Sequence, residues 1–287
     1  MKVFAAAAVT GMVASGYFKV DRAVEAKAAA KSPFSQSVYH SYKLVCVQDE
    51  SHDTKIFTFA LPEKDMELNF EAPSCITLRY VDDKGKEVVR PYTPLNLESD
   101  KGSFELLVKS YPNSRMGSHL HNMKVGDSIE VQGPWKTMDI KSGQYEHIGM
   151  LAGGTGVTPM YQIARNFLGR PSNTTKFSLV CSNHSKAEML LADRFGQLAN
   201  DNPGKLFVFH SLTSPPWYWR GYRGHITKKV IEETMPSPNC VDKAILLVSG
   251  PPGFMKTISG EKQGRSQGPL SGYLKELGYP EAMVYKF

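Results

Sequence analysis

Leu151-Ala-Gly-Gly-Thr-Gly-Val-Thr-Pro159 divides the chain into two unlike halves. The apolar run 148–152 delivers the backbone to Gly153, Gly154 and Gly156, and residues 158–168 then carry a helical pattern. A strand, a glycine turn and a helix in that order let backbone N–H groups approach a phosphate or a nicotinamide, because glycine has no Cβ to hold a ligand away. Pro159 stands where a G-x-G-x-x-G turn would carry its last glycine, and proline suits the first turn of a helix. A lone G-x-G is weak on its own; the strand-turn-helix setting raises it.

C-terminal to that turn, strands and helices alternate. Strands are expected over 148–152, 177–181, 206–210 and 244–248, and helices over 158–168, 186–199 and 226–233. Such alternation predicts a parallel sheet covered by helices on both faces. The last strand runs into Ser249-Gly-Pro-Pro-Gly-Phe-Met255. Ligands in these sheets bind beyond the strand C-termini, so this loop and the glycine turn should face one cleft. Read alone, the loop serves as well as a Pro-rich connection.

N-terminal to the turn the pattern has period two. Alternating runs over 42–48, 55–61, 75–81, 87–92, 103–110 and 128–132 are separated by turns such as Asp83-Lys-Gly85, Asp100-Lys-Gly102 and Gly126-Asp127. Closely spaced short strands predict an antiparallel barrel or sandwich. Lys141-Ser-Gly-Gln144 is the expected linker. The fold class is therefore two-domain: an antiparallel β-barrel over 37–144, then a Rossmann-like α/β domain with a parallel sheet over 145–287. Residues 1–36 stand apart as an N-terminal segment and linker.

Composition is globular, 41% hydrophobic and 22% charged, in 287 residues. The formal net charge of +6 suits an acidic partner or an anionic membrane. No run of five like charges and no aromatic–basic repeat points to nucleic acid. Cys46, Cys75, Cys181 and Cys240 form no C-x-x-C pair, so neither a zinc ribbon nor a plant-type iron–sulfur cluster is expected, and no metal site is assigned. Residues 3–18 carry no charge, with Lys2 before them and Lys19, Arg22, Lys27 and Lys31 after. Sixteen residues fall short of the ~20 that span a bilayer. The stretch reads as a signal-peptide core, a mitochondrial presequence with a sorting segment, or a short anchor. The basic, Ala-rich flank and the unpaired cysteines disfavour secretion.

Two further stretches of the barrel half carry chemistry. Arg90-Pro91-Tyr92-Thr93 ends a strand. An arginine fork matches a pyrophosphate, tyrosine offers a flat face and a hydroxyl, and Thr93 can reach a ring edge. Arg115-Met-Gly-Ser-His-Leu120 follows another strand and reads as a helix start with Ser118 near the cap. Helix N-termini bind phosphate through free N–H groups and the dipole. His119 and His121 are expected to be surface histidines.

With these motifs in order, residues 37–287 resemble the NADH–cytochrome b5 reductase family of the ferredoxin reductase superfamily. The tail, with Leu274-Lys-Glu-Leu-Gly-Tyr279 and Val284-Tyr-Lys-Phe287, is similar to its fungal mitochondrial branch. The resemblance implies FAD on the barrel and NADH (NADPH possible) on the α/β domain. It implies hydride transfer from NADH to the flavin, then single electrons to cytochrome b5 or a similar acidic haem protein. No acid–base residue is required, since the cofactor does the chemistry. By motif, Arg90, Pro91, Tyr92 and Thr93 would hold the FAD. Val108, Lys109 and Tyr111 would lie along it, and Arg115, Met116, Gly117 and Ser118 would close on its phosphates. Gly153, Gly154, Thr155, Gly156, Thr158 and Pro159 would place the nicotinamide, with Gly250, Pro251, Pro252 and Met255 on its other side. Thr93, Thr158 and Ser249 would stand nearest the reacting atoms. The branch also implies a membrane anchor at residues 3–18, a place at the mitochondrial outer membrane or intermembrane space, and a monomer.

Two positions depart from the family pattern. Ser249 stands where cysteine is usual. Thr213, with Arg220 and Arg223 nearby, stands where an acidic residue usually repels the extra phosphate of NADPH, so weaker discrimination against NADPH is expected. Phe287 either packs the last strand, the preferred reading, or covers the flavin. Two other functions fit less well: a non-catalytic flavin-binding subunit of a membrane complex, and the reductase component of a multi-component oxygenase.

Overall fold

A computed structural model describes residues 32–287, which form one compact unit. The expected N-terminal anchor at 3–18 lies outside the described residues. The first half holds β1 (His40–Ser51), β2 (Thr54–Ala60), β3 (Ser74–Val81), β4 (Glu87–Tyr92) and β5 (Ser103–Lys109), then helix α1 (Arg115–Asn122) and β6 (Ser128–Lys136). These strands form one antiparallel sheet in the order β4-β3-β6-β1-β2-β5. The period-two pattern explains its curl. Leu44, Phe57, Phe59, Ile76, Leu78, Val88, Phe104, Leu106 and Val131 all turn inward to one core. Helix α1 packs against both β4 and β5, the two edge strands, and so closes the seam.

The stretch before β1 was expected to be a polar linker. Phe34 instead lies in the barrel core, against Tyr42 at 5.6 Å and Phe104 at 5.3 Å. A single aromatic among polar neighbours carries no periodicity, yet burying it removes a large apolar area from water.

The second half holds β7 (His147–Gly153), α2 (Val157–Leu168), β8 (Lys176–Asn183), α3 (Ala192–Asp201), β9 (Leu206–Leu212), β10 (Tyr222–Arg223), α4 (Lys228–Thr234), β11 (Ala244–Ser249), α5 (Pro252–Ile258), α6 (Gly272–Glu276) and β12 (Val284–Lys286). Its sheet is parallel, in the order β10-β9-β8-β7-β11-β12. The central strands β7 and β11 are buried along nearly their whole length, which explains their unbroken apolar runs. The helix expected over 186–199 is broken: a 3-10 turn at Lys186–Glu188 precedes α3, with Leu191 at φ 56° between them. Leu190 and Leu191 are both buried, so core packing outweighs helical propensity there.

Strand order reverses between β7 and β11, the switch point at which such sheets open a crevice. Ala152 pairs with Ser249 at that edge, so the glycine turn and the Ser249–Pro252 loop leave the sheet side by side. Among the described residues, no helix is long and apolar enough to cross a membrane.

Candidate active site: three joined cavities

The central cavity, of about 680 Å³, lies between the barrel and the switch point. Pro91, Tyr92 and Thr93 line it from the end of β4, and Leu107, Val108 and Lys109 from β5. Opposite stand Thr155, Gly156, Thr158 and Pro159, then Ser249, Gly250, Pro251 and Pro252. Phe287 adds its ring to the wall, while its backbone N–H donates to Val248 O at 2.9 Å. The last residue thus both extends the sheet and faces the cavity.

A second cavity of about 620 Å³ continues over the parallel sheet, sharing Lys109, Tyr111 and Pro251 with the first. Gly153, Gly154, His184, Thr213, His225 and Phe254 line it. A third, of about 570 Å³, joins the first at Ser114 and is lined by Tyr80, Asp82, Arg115, Ser118 and His119. Each volume lies in the range of small-molecule sites.

Close packing of backbone shapes the centre. A Cβ on Gly156 would run into the carbonyl of Ser249 and would stand 2.7 Å from Gly250 N. Only glycine lets the turn meet the second loop so closely. Gly154, at φ +52°, has open space beside it: a Cβ there would meet only the Tyr111 hydroxyl, at 3.9 Å. Thr158 caps the turn internally by donating to Thr155 O at 3.2 Å. Burial pushes the Tyr92 hydroxyl up to about 12, so it remains a neutral donor.

Polar latches hold the walls together. Gln162 of α2, fully buried, accepts from Ser74 N at 2.8 Å and donates to Pro94 O at 3.0 Å. Lys109 bridges Asp53 at 3.0 Å and Glu188 at 3.2 Å. Burial favours the neutral Asp53, but hydrogen bonds from Lys109, Ser51 and Thr54 outweigh it and hold the carboxyl below its usual value. Arg194–Glu105 at 2.6 Å and Arg165–Asp100 at 3.0 Å join the halves again. A lone glutamine on the apolar face of the 158–168 helix was the available signal for Gln162. No local pattern announced Asp53 or Glu188.

Several expected residues sit differently. The cap of α1 is Ser114, which accepts from Gly117 N at 3.1 Å, and Ser118 lies one turn inside. Ser114 has the extended backbone that a cap needs, and Asn113 before it is at φ 68°. Arg115 faces the third cavity paired to Asp82, whereas Met116 packs into the barrel core. Gly117 is packed too tightly for a side chain, since a Cβ would lie 2.7 Å from Ser114 Oγ. Arg90 is exposed, donates to Val89 O at 2.7 Å and does not line the central cavity. Met255 is buried in the core against the sheet, because α5 starts at Pro252 and turns its fourth residue inward. Its neighbour Phe254 faces the second cavity and covers Gly153 and Gly250. Arg223 spends its guanidinium on the carbonyls of Pro216, Trp217 and Trp219, and Arg220 lines a separate hollow with His210, so neither reaches Thr213. His119 is no free surface group: its ring stacks on Tyr80 at 3.8 Å, and burial lowers its basicity.

The three cavities fit an extended dinucleotide cofactor with a second one meeting it. A flat ring fits between Tyr92 and the glycine turn. Phosphates fit at the Ser114-capped end of α1 beside Arg115, and a second aromatic fits at the Tyr80–His119 stack. Among the described residues no His, Cys, Asp or Glu cluster could hold a metal ion.

An antiparallel barrel followed by a doubly wound sheet, with such cavities at their junction, defines a flavin- and pyridine-nucleotide-dependent oxidoreductase of the ferredoxin reductase type. Residues 41–140 match the oxidoreductase FAD-binding domain, and residues 150–260 the oxidoreductase NAD-binding domain. The chain is 38% identical over 291 residues to NADH-cytochrome b5 reductase 2 of Emericella nidulans, covering 99% of this chain and 90% of that protein. It is 41% identical over 242 residues to the Phaeosphaeria nodorum protein of the same name, covering 83% and 71%. The cytochrome b5 reductase domain of Ulva prolifera nitrate reductase shares the fold, with a TM-score of 0.78 at 23% identity over 90% of this chain and all of that one. The chain belongs to the NADH–cytochrome b5 reductase family.

Proposed function

We propose that this protein is an FAD-dependent reductase that takes reducing equivalents from NADH and passes electrons singly to cytochrome b5 or a similar haem protein. The observation that carries the reading is a central cavity at the switch point that shares lining residues with a second cavity over the parallel sheet and with a third on the barrel, each with polar groups in its wall. Relatives named for NADH and cytochrome b5 support the donor and acceptor.

Bound FAD supplies the redox chemistry; the chain supplies position and electrostatics. Tyr92 and Thr93 would hold the flavin ring, and Ser114, Arg115 and Ser118 its phosphates. The N–H groups of Thr155 and Gly156 and the hydroxyl of Thr158 would orient the nicotinamide against Ser249 and Gly250. Tight packing of Gly156 on Ser249 keeps the two loops in fixed register. Thr213, His184 and His225 would meet the adenosine end. We further propose attachment through residues 3–18 to the mitochondrial outer membrane or facing the intermembrane space, and a monomer. The uncharged stretch between basic flanks supports the attachment.

Anaerobic addition of NADH to purified protein tests the core of this. A yellow protein that bleaches within seconds supports the reading. One that keeps its colour with both NADH and NADPH would instead be a flavin-binding subunit without turnover, and a colourless one that cannot take up FAD would overturn the proposal.

A further inference from the structure

Two cations line the central cavity, Lys109 and Lys262, and they differ in one respect. Lys109 is neutralised by Asp53 and Glu188. Among the described residues no carboxylate forms an ion pair with Lys262. Its ammonium lies 5.9 Å from the Tyr285 ring, and Cys75 lines the same cavity. Lys262 is half-buried, and that burial makes the ammonium easier to deprotonate.

Its position is built rather than incidental. Gln263 N donates to Ser266 O at 3.2 Å, and Ser271 N donates to Ser259 O at 3.1 Å, closing the loop on itself. Gln267 clamps the loop to β12, accepting from Lys286 N at 2.6 Å and donating to Lys286 O at 3.1 Å. Tyr285 in turn donates to Thr137 O on the barrel side of the same cavity. The neighbouring cation Lys286 is spent on Gly268 O at 3.3 Å and Pro269 O at 2.9 Å. A partly buried cation without a counter-charge is costly, so a site that keeps one has use for a negative partner.

We infer that Lys262 is the counter-charge of the central cavity, biasing a flavin held there toward its reduced, more negative state. This rests on the proposal that FAD occupies that cavity. Electrons added to the ring raise its negative charge, and a fixed cation in a half-buried setting favours that change.

The test uses the full chain with FAD, comparing wild type with K262Q, K262M and K262R. The midpoint potential of bound FAD is read by equilibration with a reference dye. K262Q and K262M should each shift the reduction equilibrium on the order of tenfold toward the oxidised form, about 30 mV for a two-electron couple. K262R should keep the wild-type value within about twofold. A second readout needs no turnover: alkylation of Cys75 in the apoprotein, mapped by mass spectrometry with and without FAD. FAD should protect Cys75, and K262Q should slow its alkylation in the apoprotein by removing a cation that favours the thiolate. An unchanged potential in both neutral variants would overturn the inference. So would Cys75 labelling that FAD leaves unaffected in a yellow protein, which would leave the proposed function standing. A protein that takes up no FAD would overturn both.

Discussion

Replacing Gly156 by alanine places a methyl group where the chain has no room. The added carbon would press on the carbonyl of Ser249 and stand 2.7 Å from Gly250 N. Every one of those atoms is backbone, so no rotamer change relieves the contact. Ser249 ends β11, which pairs with β7 on one side and β12 on the other, so moving it breaks sheet pairing. Overpacking typically costs about 1–3 kcal/mol, and a clash only backbone can relieve belongs near the top of that range. At ~2–4 °C per kcal/mol for a unit of this size, Gly156→Ala should lower Tm by roughly 6–12 °C. The same displacement separates Thr158 from Ser249 at the cavity wall. Since misplacement by ~1 Å can cost on the order of 100-fold, flavin reduction by NADH should slow at least tenfold while FAD stays bound. Thermal unfolding and anaerobic stopped-flow read the two effects. Gly253→Ala is the control: a Cβ there meets nothing within 4 Å, and α5 should gain up to about 1 kcal/mol from the better helix former. If Gly156→Ala melts and turns over like wild type, the close approach of the two loops is not what holds the site.

Lys109→Met should destabilise by roughly 1–3 kcal/mol at pH 7, since the three side chains are only 13–24% exposed. Asp53 is held below its usual value, so its contribution exists above about pH 4 and is lost as pH falls through the folded value. The gap to wild type in urea unfolding should therefore close in acid; a constant gap from pH 7 to pH 3 would refute the clamp. Ser249→Cys keeps size and polarity and should change turnover only modestly, so a rise of several orders of magnitude would show that serine cripples the site. With Thr213 uncharged at the second cavity, NADH should be preferred over NADPH by less than about a thousandfold in kcat/KM, roughly 4 kcal/mol, and Thr213→Asp should widen the ratio. Raising salt should slow reduction of cytochrome b5 more than that of ferricyanide, given the net charge of +6; equal slopes would count against electrostatic steering.

The features legible in this sequence are those set by short-range interactions. Period-two runs in the first half and apolar strands alternating with helical segments in the second are local consequences of burial, and they placed most strands and most helices by sequence alone; the short β10 and β12 were not among them. The turn at Gly153–Gly156 and the loop at Ser249–Pro252 were legible for the same reason, since each is a short stretch whose backbone must bend or approach closely. Helix phase was less so. Met255 and Phe254 are adjacent, and only the start of α5 at Pro252 decides that the first faces the core and the second the cavity. The cap of α1 fell to Ser114 rather than Ser118 because the extended backbone ends there. The partners in contacts between distant parts of the chain had no sequence signature, even where a lone polar residue such as Gln162 stood out on an apolar face. Gln162 reaches Ser74 across 88 positions, Lys109 reaches Glu188 across 79, and Tyr285 reaches Thr137 across 148. The sequence by itself determined the two architectures and the loops that must lie at strand ends. The tertiary structure alone decided which side chains wall the cavity, and that of its two lysines only Lys109 is neutralised, because pairing of charges depends on distances in space that chain spacing does not encode.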